Sequence, residues 1–200
     1  MSLPEFEAQI ESVRRDGRSR LGMDHQGGDT MPTIAELLLA ELEREAAGTR
    51  RALERVPEGR NDWKPHEKSM PLGYLAGLTG TMLSWIVSIV TQEELDLAAP
   101  GEYKTGDFST NRELLEAFDK AVAQAREALS SADDERLTGT TWRLLVQGRV
   151  VMETPRYVAI RDSVLNHLAH HRGQLTVYLR LNDVPVPSLY GPTADEGGFQ

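Results

Sequence analysis

The first sustained hydrophobic period along the chain begins at residue 33. Ile34, Leu37, Leu38 and Leu42, then Leu53 and Val56, recur at three- and four-residue steps, which predicts an amphipathic helix over 33–56. Thr33 followed by Glu36 matches the S/T-x-x-E capping box at its start, and Pro57 with Gly59 supplies a stop. Residues 57–70 read as a polar connection anchored by Trp63, and Pro71, tolerated in a first helical turn, opens a second helix to about residue 91. Residues 92–109, holding Pro100, Gly101 and Gly106, read as a crossover. A third helix is predicted over 111–131 with Leu114, Leu115, Phe118, Val122, Ala125 and Leu129 on one stripe. Two β-like runs, 142–146 and 149–152, flank Gly148 and predict a hairpin or an extended crossover. The fourth helix is predicted over 155–181, its stripe being Val158, Ser163 or Val164, His167, His171, Leu175 and Tyr178, before a tail rich in Pro and Gly.

Four helices with two long connections predict an all-α fold, a four-helix bundle with crossovers. The first 31 residues alternate short charge blocks with glycines and sustain no apolar period, so they read as a flexible N-terminal extension. They hold no apolar stretch of the length a secretory signal needs, and a cytoplasmic location is expected. The second helix has no charged side chain between Lys68 and Glu93 and is apolar enough to raise a membrane span. Three amphipathic partners would instead bury it in a bundle, so no membrane is expected. Gly73, Gly77 and Gly80 each cost this helix about 1 kcal/mol relative to Ala, which points to close packing against another helix, within the bundle or across a dimer.

Composition narrows the chemistry. The 22 basic and 31 acidic residues give a net charge of −9 without a clustered basic face, which disfavours a nucleic-acid partner. Cysteine is absent, which excludes disulfides, thiolate zinc sites, iron–sulfur clusters and a cysteine nucleophile. Any metal must use His, Asp, Glu or main-chain oxygen.

The strongest chemical signal is the run NHLAHHRGQ at 166–174. His167 and His171 stand one turn apart, about 6 Å along a helix axis, so two imidazoles on one face would converge on one divalent cation or remain as hydrogen-bonded core histidines. Position 168 is Leu168, so this is not the HExxH signature of metalloproteases. His170 is rotated about 100° from His171 and belongs on the surface.

The stretch NHLAHHRGQLTVYLRLNDVPVPSLYGPTADE (166–196) resembles the carboxy-terminal signature of the DinB/YfiT-like superfamily, and KPHEKSMPLGYLAG (64–77) resembles the segment leading into that family's second helix. The resemblance spans roughly 32–196, leaving 197–200 as a tail. It implies a four-helix bundle of up-down-down-up topology, often a homodimer, with nickel or zinc held between helices by three histidines. It also implies a metal-dependent hydrolase or thiol S-transferase acting on a small-molecule substrate, with a low-molecular-weight thiol as cosubstrate. Carried over by position, the two ligands from the fourth helix become His167 and His171.

The departure is the helix-two ligand, whose place directly after the LAG triplet is taken by Leu78. An isobutyl group donates no lone pair, so the three-histidine set is incomplete. Tyr74 and Met82 are poor replacements, His66 and Glu67 reach only if their loop folds back, and Glu41 or Glu45 would have to come from helix one. Two accounts remain: a weakened cation site that activates water or thiol, and a metal-free, noncatalytic small-molecule binding or regulatory protein on the same fold. Arg172 and Gln174 read as surface or inter-helix hydrogen bonders able to orient ligands. Trp85, Tyr178 and Tyr190 read as core or pocket aromatics, Asp162 as a carboxylate off the histidine face, and Ser163 as no hydrolase nucleophile.

Overall fold

Helix α1 (Ile34–Leu53) starts on the expected capping box, with the Thr33 hydroxyl accepting from the Glu36 N–H at 3.1 Å and the Glu36 carboxylate from the Thr33 N–H at 2.8 Å. The computed structural model describes residues 31–97 and 108–197. Residues Met1–Met31 and Pro32–Gln200 form two units, and every described helix and strand lies in the second. The predicted extension up to residue 30, Pro100, Gly101 and Gly106 of the crossover, and residues 198–200 of the tail lie outside the described residues.

On α1 the buried positions are Ala35, Leu38, Leu42, Glu45, Ala46, Thr49, Ala52 and Leu53, whereas Leu37, expected on the stripe, is 55% exposed. Two polar residues thus fill the part of the core face where the apolar period lapses. The second helical stretch is interrupted: α2 (Leu72–Thr81) leads through a 3₁₀ turn (Met82–Ser84) into α3 (Trp85–Thr91). Its first turn is closed by the preceding loop, since the N–H groups of Leu72 and Gly73 donate to the carbonyls of Trp63 and Asn61 at 2.8 and 3.0 Å. The stretch has the length and composition to cross a membrane, yet Leu72, Leu75, Met82, Leu83, Ile86 and Ile89 are fully buried inside the protein. A Cβ at Gly80 would lie 2.8 Å from Leu114 Cδ1, so this glycine does admit a neighbouring helix; one at Gly73 would lie 2.8 Å from Asn61 Cβ, so that glycine admits the loop instead.

Strand β1 (Glu94–Asp96) follows, then α4 (Asn111–Ser130), capped by a second box between Thr110 and Glu113, and the short α5 (Asp134–Gly139). The α4 stripe is as predicted at Leu114, Phe118, Ala125 and Leu129. The Asp134 carboxylate accepts the Ile34 and Ala35 N–H groups, satisfying orphan donors at the start of α1. Strands β2 (Thr141–Val146) and β3 (Arg149–Pro155) form the hairpin. Gln147 and Gly148 turn it with φ of 52° and 72°, and their N–H groups donate to Asp96. β1 pairs with β2 in parallel, giving a sheet of order β1-β2-β3. The protein is therefore mostly helical with a small three-stranded sheet, which corrects the all-α expectation. A three-residue strand is too short to show a period.

The last stretch runs from α6 (Arg156–Ala159) through a π-helical segment (Ile160–Asn166) into α7 (His167–Leu181). The wide π turns shift the phase of the stripe. Ile160, Val164, Leu165 and Leu168 take the core positions, and Val158 is only half-buried. Arg156 is fully buried and donates to the carbonyls of Ile89 and Gln92, to the Glu93 carboxylate and to the Thr140 hydroxyl, closing the C-terminus of α3. The helices and the inner face of β2, through Trp142, share one hydrophobic core.

Candidate functional site

α7 opens on His167 at the point where the π segment ends, a type of irregularity that recurs at functional sites. One turn on, His171 brings its Nε2 to 2.8 Å from that of His167, with ring centroids 4.5 Å apart. The expected pairing on one helix face is present. His167 is half-buried and His171 buried, so the pair sits at the margin of the core.

The other two ring nitrogens are also engaged. His167 Nδ1 lies 3.3 Å from the Ser163 carbonyl oxygen and His171 Nδ1 lies 2.8 Å from Gln174 Oε1. A carbonyl only accepts, so neutral His167 carries its proton on Nδ1 and leaves Nε2 with a free lone pair. Such outer contacts orient metal-ligating histidines in general. Burial pushes the His171 imidazole below its ordinary range, the Gln174 contact opposes this, and the neighbouring His167 and His170 add to the lowering. His171 is thereby kept neutral at pH 7, the form that can donate a lone pair. His170 is exposed, with its ring 5.1 Å from that of His171 and 6.5 Å from that of His167.

The donor set stops at two. Among the described residues no group of three or more His, Asp or Glu is placed to hold a metal ion. Leu78 is half-buried and packs on the core from α2, the helix beside α7. His66 is exposed, its Nδ1 accepting from the Lys68 N–H. Glu41 is 3.6 Å from Arg161. Glu45 is committed to a different cluster, in which buried Arg172 donates to the Glu45 carboxylate at 2.7 Å, to the Glu45 carbonyl and Thr49 hydroxyl at 3.0 Å each, and to the Tyr190 hydroxyl. Burial alone would raise the Glu45 carboxyl, but hydrogen bonds from Tyr190 and Arg172 outweigh it and hold it below the usual range. Two imidazoles fall short of the three protein ligands of a catalytic zinc centre.

Arg172 is thus an inter-helix hydrogen bonder tying α7 to α1 and to the segment after α7, where the Tyr190 ring lies under its guanidinium at 5.0 Å. That segment is strapped down further: Glu196 pairs with Arg51 and Arg55, and Asp195 with Arg180. Tyr178 is buried edge-on to Trp63 at 5.5 Å, and Trp85 is core. Asp162 accepts from Asn166 on the exposed side, and Ser163 Oγ contacts Met152 Sδ. Gln174, expected as a hydrogen bonder able to orient ligands, does contact His171 at the i,i+3 spacing of facing helical neighbours, whereas the Ser163 contact is made by its main-chain carbonyl, which no residue pattern announces.

No curated protein is significantly similar in sequence. Among solved structures, a DinB-like protein from Bacillus cereus ATCC 10987 superposes with a TM-score of 0.60 at 25% identity, over 76% of this chain and 95% of that one. A DinB-like protein from Bacillus subtilis matches with a TM-score of 0.58 at 16% identity, over 76% of this chain and 96% of the other. The sequence profile of the DinB family matches residues 31–197, and with a fold shared along nearly the whole length of these relatives, the chain belongs to the DinB family.

Proposed function

We propose that this protein is a DinB-family enzyme, a hydrolase or thiol S-transferase, that holds a divalent cation weakly on His167 and His171 and acts on a small molecule. The carrying observation is the convergence of the two Nε2 atoms at 2.8 Å, with His167 Nδ1 turned to a carbonyl. When bound, Ni²⁺ or Zn²⁺ would lower the pKa of a coordinated water or low-molecular-weight thiol. The chain's own part is to hold two neutral imidazoles in one direction and to leave the remaining coordination positions to water, thiol or substrate. The site is weakened by Leu78. The same reading takes the helices as an up-down-down-up four-helix bundle and the protein as a cytoplasmic homodimer with no nucleic-acid or membrane partner, in keeping with the net charge of −9.

A second reading is favoured by the same distance. Two ring nitrogens 2.8 Å apart satisfy each other through one N–H···N hydrogen bond without any cation, which fits a noncatalytic, metal-free small-molecule binding protein.

The test is Leu78→His. The first reading predicts that this variant retains close to one Zn²⁺ per chain through gel filtration while the parent, binding weakly, loses it. A variant that retains none would mean that position 78 does not face the pair and would remove the reason for calling the site weakened.

A further inference from the structure

Two features of the histidine pair conflict unless something moves. His167 Nδ1 faces the Ser163 carbonyl, so neutral His167 presents a bare Nε2. If Gln174 offers its amide oxygen to His171 Nδ1, then His171 also carries its proton on Nδ1 and a second bare Nε2 stands 2.8 Å from the first. Two lone pairs at that distance repel unless a proton lies between them or the rings spread to admit a cation. Turning the Gln174 amide over by 180° puts its NH₂ against Nδ1, moves the His171 proton to Nε2, and converts the repulsion into an Nε2–H···Nε2 hydrogen bond. The amide turns over in place, because the oxygen and nitrogen of a primary amide are nearly isosteric, whereas a tetrahedral cation with metal–nitrogen bonds of about 2.0–2.1 Å needs the two Nε2 atoms to spread to about 3.3 Å. Ser163 offers a backbone carbonyl, which cannot make this exchange. Gln174 is half-buried, one turn beyond His171 on the same helix.

We infer that Gln174 is a positioning residue that sets which ring nitrogen of His171 carries the proton, and so whether the pair is closed by a hydrogen bond or open to a cation. Metal-free protein takes the closed form, with His171 protonated on Nε2. Cation binding selects the open form, with the Gln174 oxygen accepting from Nδ1–H. This rests on the cation reading for its second half only; the first half holds for the metal-free chain.

The experiment is ¹⁵N–¹H correlation of the imidazole rings in the full chain, at a pH where both are neutral, for the parent, Gln174→Glu and Gln174→Leu, each without metal and then titrated with Zn²⁺. Parent protein is expected to show His167 protonated on Nδ1 and His171 on Nε2. A carboxylate only accepts, so Gln174→Glu should move the His171 proton to Nδ1 before any metal is added. Gln174→Leu removes both partners, leaves a mixture of tautomers, and should bind Zn²⁺ about 10- to 100-fold more weakly than the parent, as loss of an outer-shell partner usually does. The same protonated nitrogen on His171 in all three metal-free proteins would overturn the inference. If the tautomer follows residue 174 while no form binds Zn²⁺, the inference about Gln174 stands and the cation reading falls.

Discussion

Arg172→Met removes the guanidinium that joins three parts of the fold and leaves the Glu45 carboxylate behind. In the parent, the two side chains are 2% and 7% exposed, and Arg172 also bonds Thr49 and Tyr190. Breaking a buried pair from one side costs about 3–5 kcal/mol; the Tyr190 hydroxyl and Arg44, 3.3 Å from the other carboxylate oxygen, remain beside Glu45 and place the loss toward the lower end of that range. For a unit of this size about 2–4 °C of Tm follows each kcal/mol, so the fall at pH 7 should be about 6–20 °C. The pH dependence carries the diagnosis. The Glu45 carboxyl is held below its ordinary range in the parent, so its stabilisation is present above that range and is lost as pH falls through the lowered value. In the variant burial is opposed only by the Tyr190 hydrogen bond and Arg44, so Glu45 takes up its proton at higher pH than in the parent and the penalty is relieved on acidification. The gap between parent and variant should therefore narrow from pH 7 toward about pH 4. Replacing both residues, Arg172→Met with Glu45→Leu, should recover more than half of the loss. Differential scanning calorimetry at several pH values decides it. A fall of under about 2 °C, or a gap equally wide at pH 7 and pH 4.5, would refute a buried, mutually dependent pair.

Two further outcomes are expected. Gly173 lies in mid-helix with open space where a Cβ would go, so Gly173→Ala should stabilise by about 0.5–1 kcal/mol, whereas Gly73→Ala, which meets Asn61 at 2.8 Å, should destabilise by about 1–3 kcal/mol; urea denaturation of both gives the signs. The strap after α7 should loosen in acid. The Arg180 hydrogen bond, with the Val186 N–H, lowers the Asp195 carboxyl, and the Ser188 N–H with Arg55 lowers Glu196, so their hold persists above the ordinary carboxylate range and disappears as pH falls through the lowered values. Hydrogen exchange over residues 184–197 at pH 7 and pH 3, corrected for the intrinsic rate, should show protection lost only at the lower pH.

Helices α1 and α4 were legible because each carries an apolar period, and α1 a capping box, that act within a few residues. The hairpin was legible from two β-like runs around Gly148. The 3₁₀ break at Met82–Ser84 was not, since its residues are as apolar as their neighbours and the break arises where the stretch packs on others. The π segment, which mixes Arg161 and Asp162 with apolar residues, was hidden because no local residue pattern marks a π turn, and with it the core positions Leu165 and Leu168. Buried Arg156 and Arg172 defeat a reading that counts charges as solvated, because the partners that justify burying them are distant in sequence: Glu45 is 127 residues from Arg172. At the site, the spacing of His167 and His171 predicted their pairing on one helix face, and the two rings do meet there. What sequence could not show was the direction of each ring, which depends on Ser163 and Gln174.

Under the proposed function, two converging imidazoles bind one cation without a third histidine. Equilibrium dialysis of tag-free protein against Zn²⁺ and Ni²⁺ measures this directly, beside His167→Ala and His171→Ala. One weakly bound, exchangeable cation per chain is expected in the parent and none at the same free concentration in either variant. No binding by the parent, or binding unchanged by both substitutions, would contradict it.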